Sequence, residues 1–155
     1  MEGIKPYISY KGNCEEAMNF YVEKLRGEIL FMGRWGDSPM ADQAPDKGDK
    51  IMHASIKIGD SVVMACDNVF DSGDNPFDSS DNQPIIGNNI SLAYGTDDNA
   101  EADRAFEAMS DGGTVVMPIQ ETFWADRFGM LTDKFGINWM INSEKTGRDH
   151  SEAAA

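Results

Sequence analysis

The stretch PYISYKGNCEEAMNFYVEKLRGE, residues 6–28, predicts a strand followed by a helix. Its first part, residues 7–10, is rich in side chains that favour β structure. Asn13 with Glu16 three positions later is typical of a capping box, so we expect the helix to begin there. Apolar side chains then recur at helical spacing up to Gly27, which stands where a helix commonly ends in a left-handed residue.

A second stretch, NNISLAYGTDDNAEADRAFEAMSDGGTVV at residues 88–116, has the same order of features. A predicted strand leads into a helix that begins after Asp98 and ends at Gly112. Asn13 and Asp98 lie 85 positions apart, and the same distance separates Gly27 from Gly112. This constant offset indicates an internal duplication.

Strand-like segments follow each helix, so each half is predicted to be a βαβββ module. The segments are EILFMGRW, KIMHASIKIGD and SVVMACDN in the first half, and TVVMPIQETFW, GMLTDKFG and INWMIN in the second. Hairpins are expected at Gly59 and around Gly136, the second shaped by Asp133. The first strand of the second module is expected from Asn89 to Tyr94.

Two segments rich in Asp, Gly, Ser, Asn and Pro are predicted to be loops. One is residues 36–50. The other is a polar linker, residues 69–84, between modules at about residues 3–68 and 85–143. Its Asp content invites a calcium interpretation, but DSGDNPFDSSDN lacks the ligand spacing and the terminal Glu of an EF-hand, so we expect a solvated linker.

The charge balance argues against nucleic acid as a partner. Lys and Arg total 13 against 27 Asp and Glu, which gives a formal net charge of -14, and such a surface repels a polyanion. No stretch approaches the roughly 20 apolar residues of a membrane span, and the N-terminus lacks the regions of a signal peptide. Cys14 and Cys66 have no metal-binding or redox spacing, so a cytoplasmic location with reduced thiols is expected.

The opening GNCEEAMNFYVEKLRGE and the closing QETFWADRFGMLTDKFGINWMIN resemble the vicinal oxygen chelate superfamily, which includes glyoxalase I, the bleomycin-resistance proteins and extradiol dioxygenases. The chain is most similar to the PhnB-like branch, over nearly its whole length. The resemblance implies an α+β fold in which two βαβββ modules form half-barrel sheets around a cavity for a metal or a small ligand. It also implies a homodimer, because such proteins often complete their cavities at a two-fold interface.

The resemblance implies four chelating positions, which fall near Pro6 and at His53, Asn89 and Met140. Only His53 is a good ligand, since Pro6 and Met140 have no oxygen or nitrogen donor in the side chain and Asn89 is a weak neutral one. Neither a metal site of the family type nor another cofactor is therefore expected. A methyltransferase label also accompanies this branch, but the sequence has no glycine-rich nucleotide-binding turn, and that activity is not expected.

Two titratable residues are candidates for acid and base chemistry. Strand alternation in IMHASIKIG places His53, Ser55 and Lys57 on one face. A neutral His53 in a cavity could act as a general base at neutral pH, or it could be an ordinary polar side chain on a strand. Glu121 could act as an acid or base if burial raises its pKa, but we favour a structural role such as pairing with Arg127.

Aromatic and sulfur-containing side chains are the remaining candidates. Trp35, Phe123 and Trp124 would give a pocket large apolar area, although core packing or a dimer contact explains them equally well. Trp124 is expected to begin a loop over the mouth of the cavity. Cys66 is expected to be buried and inert, whereas Cys14 in the first turn of a helix could have a lowered thiol pKa.

Two functions from different classes remain open at this point. The first is a metal-free protein that binds a small organic molecule, of the bleomycin-resistance type, with a cavity around His53, Asn89, Trp124 and Met140. The second is an enzyme related to lyases, isomerases or dioxygenases, with His53 and Glu121 as acid and base.

Overall fold

The computed structural model describes residues 3–43, 45–68 and 84–145. The chain divides into two compact units, Met1–Ile85 and Ile86–Ala155. Nearly all of the predicted linker lies outside the described residues, and so does the segment weighed as a calcium loop.

The first unit is a helix packed on a four-stranded sheet. Its elements are β1 (Tyr7–Tyr10), α1 (Cys14–Lys24), β2 (Glu28–Arg34), β3 (Ile51–Ile58) and β4 (Ser61–Asp67). The sheet order is β1-β4-β3-β2, with β1 parallel to β4 and the other neighbours antiparallel. The predicted loop after β2 forms short turns of 3-10 helix at Trp35–Asp37, Ala41–Gln43 and Pro45–Lys47.

The core of the first unit lies between α1 and one face of this sheet. Burial of apolar side chains in this core contributes roughly 25 cal/mol per Å² of buried area to the free energy of unfolding. The hydroxyl groups of Tyr10 and Tyr21 lie 3.1 Å apart inside this core, so each gives the other a hydrogen-bond partner. Side chains that are buried there are Ala17, Met18, Tyr21, Ala54, Ile56, Val63 and Ala65.

Helix α1 begins where predicted, but the predicted capping side chain is wrong. Asn13 makes no side-chain cap hydrogen bond. Instead Oδ1 of Asp67, at the end of β4, accepts from the N–H groups of Gly12 and Cys14 at 2.9 Å, and its Oδ2 accepts from Ile51 N–H at 2.9 Å. A side chain distant in sequence therefore satisfies the start of the helix.

The second unit repeats this architecture. Its elements are β5 (Ser91–Thr96), α2 (Asn99–Met109), β6 (Thr114–Gln120), β7 (Ala125–Thr132) and β8 (Asn138–Glu144). The order is β5-β8-β7-β6, with β5 parallel to β8 and the other neighbours antiparallel. Asp98 caps α2 as predicted, because its Oδ1 accepts from the N–H groups of Ala100 and Glu101.

The predicted α+β class with two βαβββ modules is confirmed. Each module has one helix over one face of a mixed four-stranded sheet. No helix within the described ranges is long and apolar enough to cross a bilayer.

The left-handed residue after α1 lies one position before the predicted glycine. Arg26, and not Gly27, has the left-handed backbone of the first unit, with φ of 55°. Gly27 is required for another reason, since a Cβ there would lie 2.5 Å from the carbonyl oxygen of Lys57. In the second unit Gly112 has φ of 71°, and a Cβ on Gly113 would clash with the backbone of β7. The equivalent pairs are therefore Arg26 with Gly112 and Gly27 with Gly113.

The first strand of the second unit is shorter than predicted. β5 begins at Ser91 rather than at Asn89. The Nδ2 group of Asn138 donates to the carbonyl oxygens of Gly87 and Ile90, which draws the preceding residues away from an extended path.

The connection between β6 and β7 is also different from the prediction. β6 ends at Gln120 and β7 begins at Ala125, because Thr122 N–H donates to the Ala125 carbonyl at 3.0 Å and Ala125 N–H donates to Thr122 Oγ1 at 3.1 Å. These two bonds close a turn. Trp124 therefore ends a short connection, and the expectation that it begins a loop is wrong.

Both predicted hairpins are present. Gly59, with φ of 57°, turns the chain between β3 and β4, and Gly136, with φ of 90°, does so between β7 and β8. Asp133 shapes the second hairpin as predicted: its Oδ1 accepts from two N–H groups of the turn at 2.8 and 3.1 Å. Its Oδ2 accepts from Trp139 Nε1 at 2.9 Å.

Candidate functional site

The sheet of the first unit presents a mostly polar face on the side opposite α1. We call this surface the first site face. Tyr7 pairs with Met64 and Ser9 with Cys66, so the parallel pairing of β1 with β4 brings these side chains together. The predicted alternation along β3 is confirmed, since the residues between those of the face are buried under α1. The first site face consists of Tyr7, Ser9, His53, Ser55, Met64 and Cys66.

His53 lies on the first site face among aromatic rings. Its side chain is half-buried, and its Nδ1 lies 3.2 Å from the hydroxyl of Tyr7. The two rings stack with centroids 5.7 Å apart, and the ring of Phe31 lies 6.0 Å from the imidazole. The imidazole is thus held in one orientation by stacking and by a hydrogen bond.

The sequence did not single out the groups next to His53. Cys66 is half-buried rather than buried, so that expectation is wrong, and its Sγ lies 3.9 Å from Ser9 Oγ. Burial first, and then a hydrogen bond with Cys66, raise the pKa of the Tyr7 hydroxyl to about 12, which leaves it a neutral donor at neutral pH. The signal that finds this cluster is the parallel register of β1 and β4, which spacing along the chain does not contain.

Cys14 is a different kind of thiol. Its side chain is fully buried at the start of α1. Burial, followed by the nearby carboxyl group of Asp67, raises the pKa of the Cys14 thiol. The expectation that the helix terminus would lower this pKa is wrong, because desolvation outweighs the helix dipole at a fully buried position.

The second unit has a more apolar surface in the equivalent place, which we call the second site face. Phe128 pairs with Asn142, and Met130 with Met140, across β7 and β8. Within the part of the chain that the structure describes, the buried Oδ1 of Asn142 has no hydrogen-bond partner. A buried acceptor without a partner is uncommon and calls for a ligand or a functional explanation. The second site face consists of Ala93, Phe128, Met130, Asn138, Met140 and Asn142.

The aromatic candidates of the second unit lie at the edge of this face. The Trp124 ring packs edge-on against Phe128 with centroids 5.3 Å apart, and Phe123 packs edge-on against Trp124 at 4.7 Å. Trp124 is half-buried, whereas the side chain of Phe123 is 81% exposed. The structure therefore brings Trp124 and Met140 to one side of the second unit and places Phe123 at its margin.

The other candidates lie elsewhere. Glu121 is exposed and accepts from Lys145 Nζ at 2.9 Å, so it forms an ion pair, but with Lys145 and not with Arg127. Arg127 instead pairs with Asp103, at 3.0 Å. Asn89 is exposed ahead of β5. Trp35 lies in the first 3-10 turn after β2, where its backbone N–H donates to the Lys50 carbonyl at 2.9 Å.

His53 is not the counterpart of Met140 in the duplication. The glycine that precedes β2 approaches the carbonyl of Lys57, and the glycine that precedes β6 approaches that of Thr132. Lys57 and Thr132 are therefore equivalent positions. Lys57 pairs with Val62 and Thr132 pairs with Asn138, so two residues further along each strand Met64 corresponds to Met140. By this register the residue of the first unit that corresponds to Met140 is Met64, whereas His53 lies on the preceding strand.

A divalent metal of the kind that the superfamily uses does not fit these donors. Pro6 and Asn89 precede their strands, and Met64 and Met140 offer only soft thioethers, whereas such ions prefer carboxylates and imidazoles. Among residues 3–43, 45–68 and 84–145, no three His, Cys, Asp or Glu side chains come together in a way that could hold a metal.

Comparison with known proteins agrees with the fold. The model of the family described as 3-demethylubiquinone-9 3-methyltransferase matches residues 2–142 of the chain. The chain belongs to this family. Protein YjdN of Escherichia coli is 32% identical over 153 residues, which cover 92% of this chain and 95% of YjdN.

Solved structures of other proteins have the same fold as this chain. A Pseudomonas aeruginosa protein is 41% identical with a TM-score of 0.76, covering 94% of this chain and 100% of that one. The PhnB protein of Bacillus cereus is 24% identical with a TM-score of 0.72, over 92% and 99% of the two chains. A glyoxylase/bleomycin resistance protein/dioxygenase domain from Frankia, 14% identical with a TM-score of 0.59 over 94% and 99%, has the same fold.

The methyl donor that the family description implies would be a nucleotide-like cofactor, and the helix starts of this chain do not suit one. Such cofactors commonly use the free N–H groups at the start of a helix that follows a strand. After β1 the first helical N–H, that of Cys14, donates to Asp67, as does the N–H of Gly12 just before the helix. After β5 the N–H groups at the helix start donate to Asp98. Carboxyl oxygens of the protein itself thus occupy both places.

Proposed function

We propose that this PhnB-like protein binds a small organic molecule without a metal, through the faces of its sheets opposite the helices. The observation that carries the proposal is the second site face. An edge-packed pair of aromatic rings, Trp124 and Phe128, and the flexible side chains of Met130 and Met140 lie on the same side of the sheet as the Asn142 acceptor, which has no partner among the described residues. Apolar walls with a few placed polar groups are typical of small-molecule sites.

The chemistry of this face favours an aromatic ligand with an N–H or O–H donor. The rings offer edges and faces for stacking, and the methionines can adapt to the shape of the ligand. The donor would satisfy Oδ1 of Asn142, which otherwise costs about 1–3 kcal/mol of desolvation. The first site face, taken by itself, offers the Tyr7 hydroxyl and the His53 imidazole as hydrogen-bonding groups beside the Phe31 ring.

Replacing Asn142 by Leu tests the proposal because it should raise the stability of the free protein and remove the effect of the ligand. The variant loses an unsatisfied acceptor, so we expect its free energy of unfolding to rise by about 1 kcal/mol. It also loses the group that receives the ligand's donor, so a ligand such as indole, or a related aromatic amine or amide, should no longer raise its melting temperature. A variant that keeps the full ligand-induced shift would contradict the role of Asn142.

Asn138→Leu is the matched control. Asn138 lies on the same strand, but its amide donates to the Gly87 and Ile90 carbonyls and its Oδ1 lies 3.0 Å from Thr132 Oγ1. Removing this satisfied amide should lower stability. If the stability rises in Asn142→Leu and falls in Asn138→Leu, the effect is specific to the unpaired acceptor of Asn142. It is then not a general effect of replacing an amide on β8 by leucine.

A second candidate function is an enzyme that uses His53 as acid or base. The contact that favours it is the hydrogen bond between the Tyr7 hydroxyl and His53 Nδ1, which orients the imidazole. Glu121 contributes little to this alternative because it is exposed and paired with Lys145. Turnover of a ligand found in the binding screen, lost in His53→Gln while binding persists, would establish the enzyme. Binding without turnover favours the first function.

We also propose a cytoplasmic homodimer. The half-buried free thiol of Cys66 suits a reducing compartment, and the superfamily resemblance favours pairing of two chains. Light scattering should give twice the mass of one chain, and a monomer mass at micromolar concentration would contradict the dimer. Cell fractionation of the tagged protein tests the location.

A further inference from the structure

Three aromatic rings lie next to one another on the side of the first sheet opposite α1, and we call them the ring platform. The ring of Tyr7 stacks on that of His53 with centroids 5.7 Å apart, and the ring of Phe31 lies 6.0 Å from the imidazole. The side chains of Tyr7 and Phe31 are 50% and 52% exposed. Open aromatic surface beside a placed polar group is typical of a site for a small molecule.

Gly33 determines where the Phe31 ring lies. Phe31 pairs with Ser55 and Gly33 pairs with His53, so both residues share the face of the imidazole. A Cβ atom on Gly33 would lie 2.8 and 2.9 Å from two carbon atoms of the Phe31 ring. The ring therefore occupies the space that a side chain at position 33 would need, and there it lies beside His53. Glycine weakens the interior of a strand, and here its missing side chain makes room for the platform.

The hydrogen bond with Tyr7 leaves one nitrogen of His53 for a ligand. The Tyr7 hydroxyl lies 3.2 Å from Nδ1. A neutral imidazole has one donor and one acceptor nitrogen, and the partner of one nitrogen sets the role of the other. With the Tyr7 hydroxyl donating to Nδ1, the proton lies on Nε2. Within the described part of the chain Nε2 has no hydrogen-bond partner, so this N–H can donate to a bound molecule.

We propose that the ring platform binds planar, uncharged aromatic molecules whose ring nitrogen or carbonyl oxygen accepts from His53 Nε2–H. The inference rests on the proposed function in treating the sheet face opposite the helix as a binding surface, and it names the ligand class of the first unit. The formal net charge of -14 disfavours a carboxylate as the acceptor. The second site face offers an acceptor and not a donor, so the two faces select ligands of opposite hydrogen-bonding character.

Quinoline tests this ligand class, because it is planar, is uncharged near neutral pH, and has an acceptor nitrogen and no donor. The readout is the ¹⁵N NMR spectrum of the histidine rings. The chain has two His, and His53→Gln identifies the signals of His53. The free protein should show a protonated Nε2 and an unprotonated Nδ1, and quinoline should shift the Nε2 signal until the site is saturated. His53 signals that do not respond to quinoline, or a proton on Nδ1, would overturn the proposal.

Gly33→Ala tests the platform without removing an aromatic residue. Its added Cβ displaces the Phe31 ring, and because only the end of a flexible side chain must move, the melting temperature should stay within a few degrees. Quinoline should bind at least about tenfold more weakly, measured by the same shift, since a stacked ring is lost. Gly95→Ala, on β5 of the second unit, is the matched control: a Cβ there meets no atom within 4 Å, and binding should be unchanged.

Phe31→Leu removes the ring itself and leaves Gly33 in place. This variant should weaken quinoline binding to about the same extent as Gly33→Ala, because both lose the stacking surface beside His53. If both variants bind quinoline as tightly as the parent, the Phe31 ring does not belong to the site and the platform is refuted.

Variants of the second site face distinguish this proposal from the binding function. Asn142→Leu and Trp124→Ala should leave the effect of quinoline on His53 unchanged. If quinoline does not shift the His53 signals while indole raises the melting temperature of the parent, the ring platform is contradicted and the proposed function is not. If quinoline shifts them and indole leaves the melting temperature unchanged, the platform is supported and the role assigned to the second site face is contradicted.

Discussion

At the residue scale, the side chain of Asp67 connects the end of β4 to the start of α1 and to the start of β3. Its side chain is 2% exposed and accepts hydrogen bonds from three backbone N–H groups, two at the start of α1 and one at the start of β3. The sequence around Asp67 does not predict this role, because its partners lie more than a dozen positions away. Asn13, the capping residue that the sequence predicted, makes no side-chain hydrogen bond at the start of the helix.

Asp67→Ala should therefore destabilise the protein by about 3–5 kcal/mol, since two buried N–H donors and one part-buried donor lose their acceptor. Asp98→Ala, which removes an exposed cap from α2, should cost only about 1 kcal/mol. Urea unfolding measures both values. Equal losses would show that the buried network around Asp67 does not have the importance assigned to it.

A second residue-scale feature is the ion pair between α1 and β2. The two terminal guanidinium nitrogens of Arg34 donate to the Glu15 carboxylate, at 2.7 and 2.9 Å. This hydrogen bonding lowers the pKa of Glu15 below its ordinary value of 4.5. A carboxyl group with a lowered pKa in the folded state stabilises the fold above its unfolded pKa, and this stabilisation is lost as the pH falls through the folded value.

We therefore expect Glu15→Gln to be less stable than the parent at neutral pH and to converge with it in acid, below the folded pKa. The difference should be small because the pair is partly solvent-exposed. Glu23→Gln, whose carboxylate contacts only the adjacent Lys24 side chain among the hydrogen bonds of the described residues, is the control. A constant difference between Glu15→Gln and the parent across the pH range, measured by urea unfolding, would contradict the assignment.

At the scale of the elements, the two helix ends show how far the sequence determines the fold. The periodicity and the two glycines correctly predicted where each helix stops. They did not show that Arg26 takes the left-handed position, with φ of 55°, while Gly27 is needed to clear the Lys57 carbonyl. That distinction depends on contact with β3, which local sequence does not describe.

Arg26→Gly should stabilise the protein by about 1 kcal/mol relative to Arg26→Ala, because only glycine adopts positive φ without strain. Arg26→Ala accounts for the loss of the arginine side chain itself. The second unit already has a glycine, Gly112, at the equivalent position. Thermal unfolding of the two variants makes the comparison, and an equal or lower stability for the glycine variant would refute the assignment.

For the strands too, features set by the local sequence were predicted, and features set by contacts between distant segments were not. Alternation correctly placed His53 and Ser55 on one face, and turn residues correctly placed both hairpins. The cluster of Tyr7 and Cys66 could not be predicted, because it depends on the parallel pairing of β1 with β4, which are separated by most of the module. The ion pair of Glu121 was missed for a similar reason. Its partner, Lys145, directly follows β8 and is distant from Glu121 in the sequence.

At the scale of the whole molecule, the duplication produced two sheets of the same topology with different chemistry. The first site face has neutral donors and a thiol around His53, whereas the second has aromatic rings, methionines and the orphaned amide of Asn142. The sequence predicted the fold of each unit. It did not anticipate which polar groups would remain on each face, because that depends on strand register.

The melting temperature of chelator-treated protein, with and without an aromatic amine or amide found in the screen, tests the central claim most directly. Metal-free binding predicts an increase of about 5–10 °C at a ligand concentration roughly 100-fold above Kd, unchanged by added divalent metal and lost in Trp124→Ala. A shift that appears only after a divalent metal is restored would contradict the account.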